Sequence, residues 1–320
     1  MWQPSASIPN LKKRAQFLTQ IRQFFDFRDA WEVDVPILSQ ATITGVHLHS
    51  LSTQYHSSAK DDKTYYLQTS PEFAMKRLIA AGSGAIYYLG KVFRDDPQGR
   101  NHNPEFTMLE WYRPNWTYES LMEEVAALLS KLLSVKEVEK LTYTEAFKKY
   151  LDINPLTDSI ETLRERAKEL PGCEQIAQDL TARDDLLDLL ITHGIEKQLG
   201  KDKLTFIHLY PASQAALAQL SQYDPRVAQR FEVYYRGIEL ANGFGELADA
   251  KEQRVRFEQE NQERIEKGLP VMPIDENLLD ALAAGFPPCS GVAVGVDRVL
   301  MLSLGASSLN EVMPFTAERA

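Results

Sequence analysis

Stretches that alternate apolar and polar residues at every second position fall in two clusters, 31–113 and 231–296. Within each cluster most are joined by short hairpin-like connections, which pair strands antiparallel. The regular βαβ alternation of a parallel nucleotide-binding sheet is missing. The pattern predicts an α+β fold, a mostly antiparallel sheet flanked by helices. At 320 residues, size alone suggests two domains, yet no Gly/Ser-rich linker, internal repeat or low-complexity tract divides the chain. The expectation is a single domain over residues 1–320 with a mainly helical insertion at about 140–230.

Local signals fill in that frame. A first helix is predicted at about 9–28, with Phe17, Ile21, Phe24 and Phe25 as its buried stripe and Lys12, Lys13, Arg14, Arg22 and Arg28 making it basic. WEVDVPILS (31–39) alternates Val33, Val35 and Ile37 as a strand does. Pro36 inside it cannot donate a ladder bond, which predicts an edge, a bulge or an interface. Residues 64–82 read as strand, turn and helix, with Ser70 as N-cap, Pro71 in the first turn and Gly82 as the stop. Residues 86–96 and 105–113 read as a long hairpin, 119–133 as an amphipathic helix, and 231–241 as a strand ending in an Asn242-Gly243 turn. Helices at 246–267 and 276–284 precede a closing strand and helix over 291–305.

Composition removes several function classes. A chain of this length buries roughly three quarters of its unfolded surface and needs no staples. With 44% hydrophobic and 25% charged residues, wholesale disorder is not expected. A net charge of −10 argues against a protein whose main task is holding nucleic acid, since phosphate neutralisation needs a dense basic surface. Cys173 and Cys289 stand far apart in no metal-type spacing, in keeping with a reducing, cytoplasmic setting. No run approaches 18 apolar residues, and MWQPSASIPN lacks the apolar core of a secretory signal, so neither a membrane span nor secretion is expected. His47, His49 and His56 lack a Cys or acidic partner set for a metal.

Three stretches are poor structural strands and good candidates for chemistry. In GVAVGVDR, Gly291, Ala293 and Gly295 share one face and Val292, Val294 and Val296 the other, with Arg298 following on a helix. The small face suits close strand–helix packing or the approach of a flat ligand equally well. In EFTMLEWYR, Phe106, Met108, Glu110 and Tyr112 share a face; a carboxylate and a phenol beside an aromatic suit a cationic, partly apolar ligand. Arg94 precedes the polar loop RDDPQGRNHNP, where its fork suits a phosphate or carboxylate. In GIELANGFGEL, Glu239 and Glu246 flank the Asn-Gly pair; they fit a shared Mg²⁺, or a strand-end charge plus a helix-start Glu, equally well.

Taken in order, these stretches resemble the signature motifs of class II aminoacyl-tRNA synthetases, specifically the catalytic domain of class IIb lysyl-tRNA synthetase. FFDFRDAWEVDVPIL resembles motif 1, with Pro36 at the dimer-interface position. VFRDD…RNHNPEFTMLEWY resembles motif 2, and ELANGFGEL with GVAVGVDR resembles the metal-binding segment and motif 3. TSPEFAMKRL is similar to the family's substrate-side segment. The first helix begins near residue 10, so the expectation is a chain without the OB-fold that reads the anticodon. That pattern, with WYRPNW, YPASQAALAQL, RFEVYYRGIELANGF and CSGVAVGVDR, resembles the elongation factor P–(R)-β-lysine ligases, paralogues of lysyl-tRNA synthetase.

The resemblance implies ATP-dependent activation of (R)-β-lysine and its transfer to a lysine side chain of elongation factor P, with Mg²⁺, by a homodimer formed through motif 1, and argues against tRNA as acceptor. It assigns the catalytic work to Arg94, Arg298 and Glu239. ATP falls to Arg94, Asp96, Asn103, Phe106, Glu239, Leu240, Gly295 and Arg298, and the metal to Glu239 and Glu246. The amino acid falls to Ser70, Pro71, Glu72, Glu110, Tyr112, Glu246 and Ala293. Two departures stand out. Asp96 replaces the family's Glu in motif 2, and Ala293 replaces a Gly of the synthetases, which implies crowding near the substrate's α-carbon. A synthetase-like enzyme acting on tRNA or another carrier, and a non-catalytic paralogue, share the fold; the retained Arg94, Glu239, Glu246 and Arg298 speak against the latter.

Overall fold

Ser7 starts the first helix: its side chain accepts the Asn10 backbone N–H, and Pro9 fits the first turn. In the computed structural model, which describes residues 2–56 and 62–320, that helix, α1, spans Ile8–Asp26. Phe17, Ile21, Phe24 and Phe25 are all buried as its spacing required. After it come β1 (Trp31–Glu32), β2 (Leu38–Ser39), β3 (Ser52–Tyr55), β4 (Lys63–Leu67), α2 (Glu72–Ala80), β5 (Ile86–Phe93) and β6 (Glu105–Pro114). A middle stretch holds α3 (Tyr118–Leu133), β7 (Val138–Thr142), α4 (Tyr143–Leu151), α5 (Ile160–Lys168), α6 (Glu174–Asp179), α7 (Arg183–Leu190), β8 (Leu204–Pro211), β9 (Val227–Tyr235) and β10 (Ile238–Gly245). The chain closes with α8 (Ala250–Glu266), α9 (Glu276–Gly285), β11 (Cys289–Gly295) and α10 (Val296–Ser303). No helix among the described residues is long and apolar enough to cross a membrane.

The chain forms two compact units, one of Met1–Thr117 with Ala248–Ala320 and one of Tyr118–Leu247. In the first, β5, β6 and β11 run antiparallel, β1 lies parallel on β5, and β2, β4 and β3 form a small separate sheet. Helix α1 covers one face of β5 and β6. The Phe25 ring stacks on Tyr87 at 4.5 Å and meets Trp111 edge-on at 5.3 Å. Buried aromatic side chains of this kind each contribute roughly 1.5–3 kcal/mol. The second unit pairs β10, β9 and β8 antiparallel and β8 with β7 in parallel. Its helices close a core that includes Tyr143, Phe147, Leu186, Leu190, Ile207 and Tyr234. Only the β1–β5 and β7–β8 pairs are parallel among these ladders, so the α+β, mostly antiparallel expectation holds.

Three local expectations are corrected. The strand expected over 31–39 is two short strands in different sheets. The Val33 N–H still reaches Tyr87 O at 2.8 Å, and then the chain crosses to pair Leu38 with Leu67. Pro36 sits in that crossing, where no ladder donor is needed. Residues 140–230 carry the four helices α4 to α7, but they also hold β8 and the start of β9, which were not expected. TFIHLY belongs to β8, whose first four residues are all buried, and a strand buried on both faces loses the alternation by which strands are recognised.

The third correction moves a turn. The β9–β10 hairpin reverses at Arg236 and Gly237, with φ of 51° and 69°, whereas Asn242 and Gly243 pair with Glu232 and Phe231 inside the ladder. Two positive φ values make the two-residue turn whose twist matches the strands. Asn-Gly is the stronger local signal for such a turn, but using it would break the β9–β10 ladder. Gly237→Ala should lower stability by about 1–2 kcal/mol, since a Cβ is strained at that φ; a urea or thermal midpoint equal to wild type would contradict this.

Candidate active site

The ladder registers bring two of the sequence patterns onto one surface. Glu110 pairs with Tyr88 on one side and Ala293 on the other, Tyr112 with Ile86 and Gly291, and Met108 with Gly90 and Gly295. Directly paired residues share a face, so the carboxylate–phenol stripe of β6 lies beside the small-residue stripe of β11. The reverse face carries Thr107, Leu109, Trp111, Val292 and Val294, all buried. Gly90 is required there: a Cβ would stand 2.4 Å from the Tyr88 ring, which lies flat along the strand. Tyr88 is fixed by Gln68, whose Nε2 donates to its hydroxyl at 2.9 Å, and by its own donation to Lys91 O at 3.0 Å.

One end of this surface is built around Glu110, which is 2% exposed. Ser70 Oγ donates to one of its oxygens at 2.7 Å and Tyr112 Oη to the other at 2.8 Å. Both donors are neutral, so these two bonds aim the carboxylate without cancelling its charge. Ser70 also accepts the Glu72 N–H at 3.0 Å, while Pro71 holds the N-cap position itself. The expected N-cap serine thus caps from one residue earlier and spends its proton on Glu110. Glu72 is matched by Lys76 one turn along α2, at 2.7 Å and 1% side-chain exposure. Its charge is already compensated within the protein. Ala293 directly faces Glu110, as its register requires.

The other end gathers cations. Arg94 closes β5 with its guanidinium 5.3 Å from the Phe106 ring centroid. Arg298, in the first turn of α10 just beyond Gly295, donates to Asn101 O at 3.2 Å and bonds His102 Nε2 at 2.8 Å. An arginine only donates, so that nitrogen accepts and His102 carries its proton on Nδ1. His102 was not singled out by the sequence, because one His in a polar loop carries no spacing signal. Burial, then the neighbouring Arg298 and, less strongly, Arg94 hold its pKa below the ordinary value, with Asp96 opposing them. Asp96 is half-buried in the same loop. Asn103 is engaged by the protein: its amide donates to Glu105 O at 2.6 Å and accepts Ala317 N–H at 3.0 Å.

Glu239, Leu240 and Glu246 belong to the second unit. Glu239 lies on β10, and Glu246 follows the strand's last residue. They do not flank a tight turn, since Asn242-Gly243 is strand. A β-bulge between Glu239 and Ala241 supplies the missing logic. Seven residues apart on a regular strand, the two carboxylates would point to opposite faces. The extra residue, buried Leu240, resets the alternation so that Glu239, Asn242 and Phe244 share a face with Tyr234, Glu232 and Arg230, and Glu246, just past the strand, bridges to Ala218. Two carboxylates on and just beyond one strand fit the chemistry of Mg²⁺, which takes few protein ligands and fills its remaining positions from water and phosphate. No group of three or more His, Cys, Asp or Glu able to hold a metal occurs among the described residues. His56 instead contacts exposed Asp62 at 3.0 Å.

On that same face lies a buried cluster that the sequence did not reveal. Glu232 accepts from Tyr210 Oη at 2.6 Å, from Tyr234 Oη, and from Arg230 at 2.6 Å. Burial and the Glu232 charge push both phenols well above their usual pKa. Nothing in RFEVYY marks this in advance, because Tyr210 arrives from another strand.

For His102 the sign is set: its depressed pKa leaves it neutral at pH 7 and defers protonation to more acid pH. An NMR titration of the six histidines should find His102 with a midpoint below the ordinary value. Arg298→Ala should move that midpoint up; no upward movement would mean that Arg298 does not act on the ring.

Residues 4–319 match the family model of class II tRNA synthetases (D, K and N). Over 323 aligned residues the chain is 55% identical to proteins named elongation factor P–(R)-β-lysine ligase from Salmonella paratyphi A (strain ATCC 9150 / SARB42), Salmonella schwarzengrund and Salmonella choleraesuis. Each alignment covers 100% of this chain and 98% of the relative. The chain belongs to the class II tRNA synthetase family of the D, K and N type, within its elongation factor P–(R)-β-lysine ligase group.

Proposed function

We propose that this chain is an ATP-dependent ligase that joins (R)-β-lysine to elongation factor P. The observation that carries the reading is 55% identity across the whole chain to proteins of that name. The surface of β5, β6 and β11 supports it. Glu110, oriented by Ser70 and Tyr112, suits an ammonium group, and Arg94, Phe106 and Arg298 suit a purine nucleotide's phosphates and base.

Activation begins with attack of the amino-acid carboxylate on the α-phosphorus, expelling pyrophosphate. The nucleophile is ionised at pH 7, so no general base is required. The barrier is charge crowding and orientation, and the protein's part is positional and electrostatic. Arg94 bridges the carboxylate and α-phosphate, Arg298 takes the terminal phosphate, and Phe106 stacks on the base with Asp96, Asn103, Leu240 and Gly295 around it. Glu239 and Glu246 would hold Mg²⁺, which would supply charge neutralisation on the phosphates. Ser70, Pro71, Glu72, Glu110, Tyr112 and Glu246 receive the amino acid. Transfer follows: the neutral amine of a lysine side chain attacks the acyl carbon of the adenylate, the amide bond forms, and the acyl–phosphate bond breaks as AMP leaves. An amine of pKa about 10.4 is neutral in roughly one molecule in 2,500 at pH 7, so the site must favour the neutral form.

The same reading includes a cytoplasmic homodimer joined through the motif 1 region. Trp31, Ile37 and Leu38 support that interface, being 53%, 39% and 46% exposed around Pro36. It also makes Ala293 a specificity residue, since its methyl shares the ligand-facing side with Glu110.

The decisive assay offers elongation factor P and tRNA side by side with ATP and either lysine isomer. Mass spectrometry of the protein and acid-gel analysis of the tRNA report the acceptor; modification of tRNA alone would replace this reading by the synthetase-like one. Arg298→Ala should lower ATP–pyrophosphate exchange by about 10²–10³-fold, and near-normal exchange would remove Arg298 from the phosphate site. Ala293→Gly should shift preference toward α-lysine; an unchanged ratio of the two isomers would end that assignment.

A further inference from the structure

Thr107 and Asp297 each stand next in sequence to a residue assigned to the nucleotide. Thr107 follows Phe106 and Asp297 precedes Arg298. Both turn away from the ligand face, and both are bonded to the same side chain, Arg14 of α1. Arg14 donates through one terminal nitrogen to Thr107 Oγ1 at 2.7 Å and through the other to Asp297 Oδ1. The second Asp297 oxygen accepts the Thr107 backbone N–H at 2.7 Å, which closes a triangle. Arg14, Thr107 and Asp297 are 8%, 6% and 2% exposed. The three corners come from α1, β6 and α10, elements far apart in the sequence.

Neighbouring residues on a strand point to opposite faces. Anchoring Thr107 in the core therefore fixes where Phe106 emerges on the ligand side. Anchoring Asp297 in the first turn of α10 fixes the start of the helix that presents Arg298. A planar guanidinium reaches both anchors at once in set directions, which an ammonium does not. We propose that Arg14 is a positioning residue that sets the spacing between Phe106 and Arg298, and so the span between the base end and the phosphate end of the nucleotide. This rests on the assignment of Phe106 and Arg298 to ATP.

A plain structural ion pair would cost stability and leave the kinetics of folded enzyme unchanged, so the test reads Michaelis constants separately. Arg14→Lys keeps the charge opposite Asp297 and loses the second arm. Thr107→Val keeps volume and loses only the hydroxyl, which guards against a first variant that fails to fold. In ATP–pyrophosphate exchange, run well below each variant's Tm, both should raise KM for ATP about tenfold while KM for (R)-β-lysine stays within about twofold. Thr107→Ser, which restores the oxygen, should return KM for ATP toward wild type. Wild-type constants in Arg14→Lys and Thr107→Val, or a parallel rise of both constants, would overturn the proposal. Arg298→Ala run alongside separates the two layers. If it raises KM for ATP and the Arg14 and Thr107 variants do not, the clamp alone fails. If it too is silent, the nucleotide assignment fails and the clamp with it.

Discussion

The antiparallel register that sets Ala293 opposite Glu110 is the constraint on which the first unit's chemistry hangs. A slip of one residue would turn every side chain of β11 to the other face and put Val292 and Val294 beside Glu110. The register is held from beneath by apolar burial. Val292 and Val294 pack in the core with Leu109 and Trp111, and α1 lays Phe25 against Tyr87 and Trp111. The surface above is then free to carry residues that no core would choose: a carboxylate, a phenol and a stripe of small residues.

Electrostatics divides that surface into two ends. A carboxylate aimed by two neutral hydroxyls lies at one, and Arg94 and Arg298 lie at the other. His102 belongs to the arginine end by geometry. As a neutral acceptor it holds Arg298 at 2.8 Å without adding a third positive charge, and burial together with those arginines keeps it neutral. Elsewhere the protein compensates charge internally, as with Glu72 and the buried Lys76. Such residues are legible as conspicuous polar groups in a sequence, but their partners are not.

Much of the fold was legible because it is local. The stripe of α1, the hairpin of β5 and β6 and the strand–helix junction before Arg298 follow from periodicity and turn residues alone. What misled the sequence reading was also local. Asn242-Gly243 is a strong turn signal overridden by the β9–β10 ladder, with Arg236 and Gly237 taking the strained φ values instead. Pro36 looked like an interrupted strand and proved to be a crossing between two sheets. TFIHLY, within the stretch expected to be mainly helical, carries no strand signal because a strand buried on both faces shows no alternation.

The sequence by itself determined the chemical inventory and the family, since ordered motifs with Arg94, Glu110, Glu239, Glu246 and Arg298 survive without any knowledge of contacts. Tertiary structure decided which of those residues share a face and what holds them there. It showed that Ala293 and Glu110 are cross-strand neighbours. It showed that a bulge at Leu240 brings Glu239 onto one face with Asn242 and Phe244, and that Arg14 bonds both Thr107 and Asp297. The physical reason is the same in each case. Periodicity encodes the direction of a side chain within its own element, whereas register, bulges and buried ion pairs arise between elements far apart in the chain.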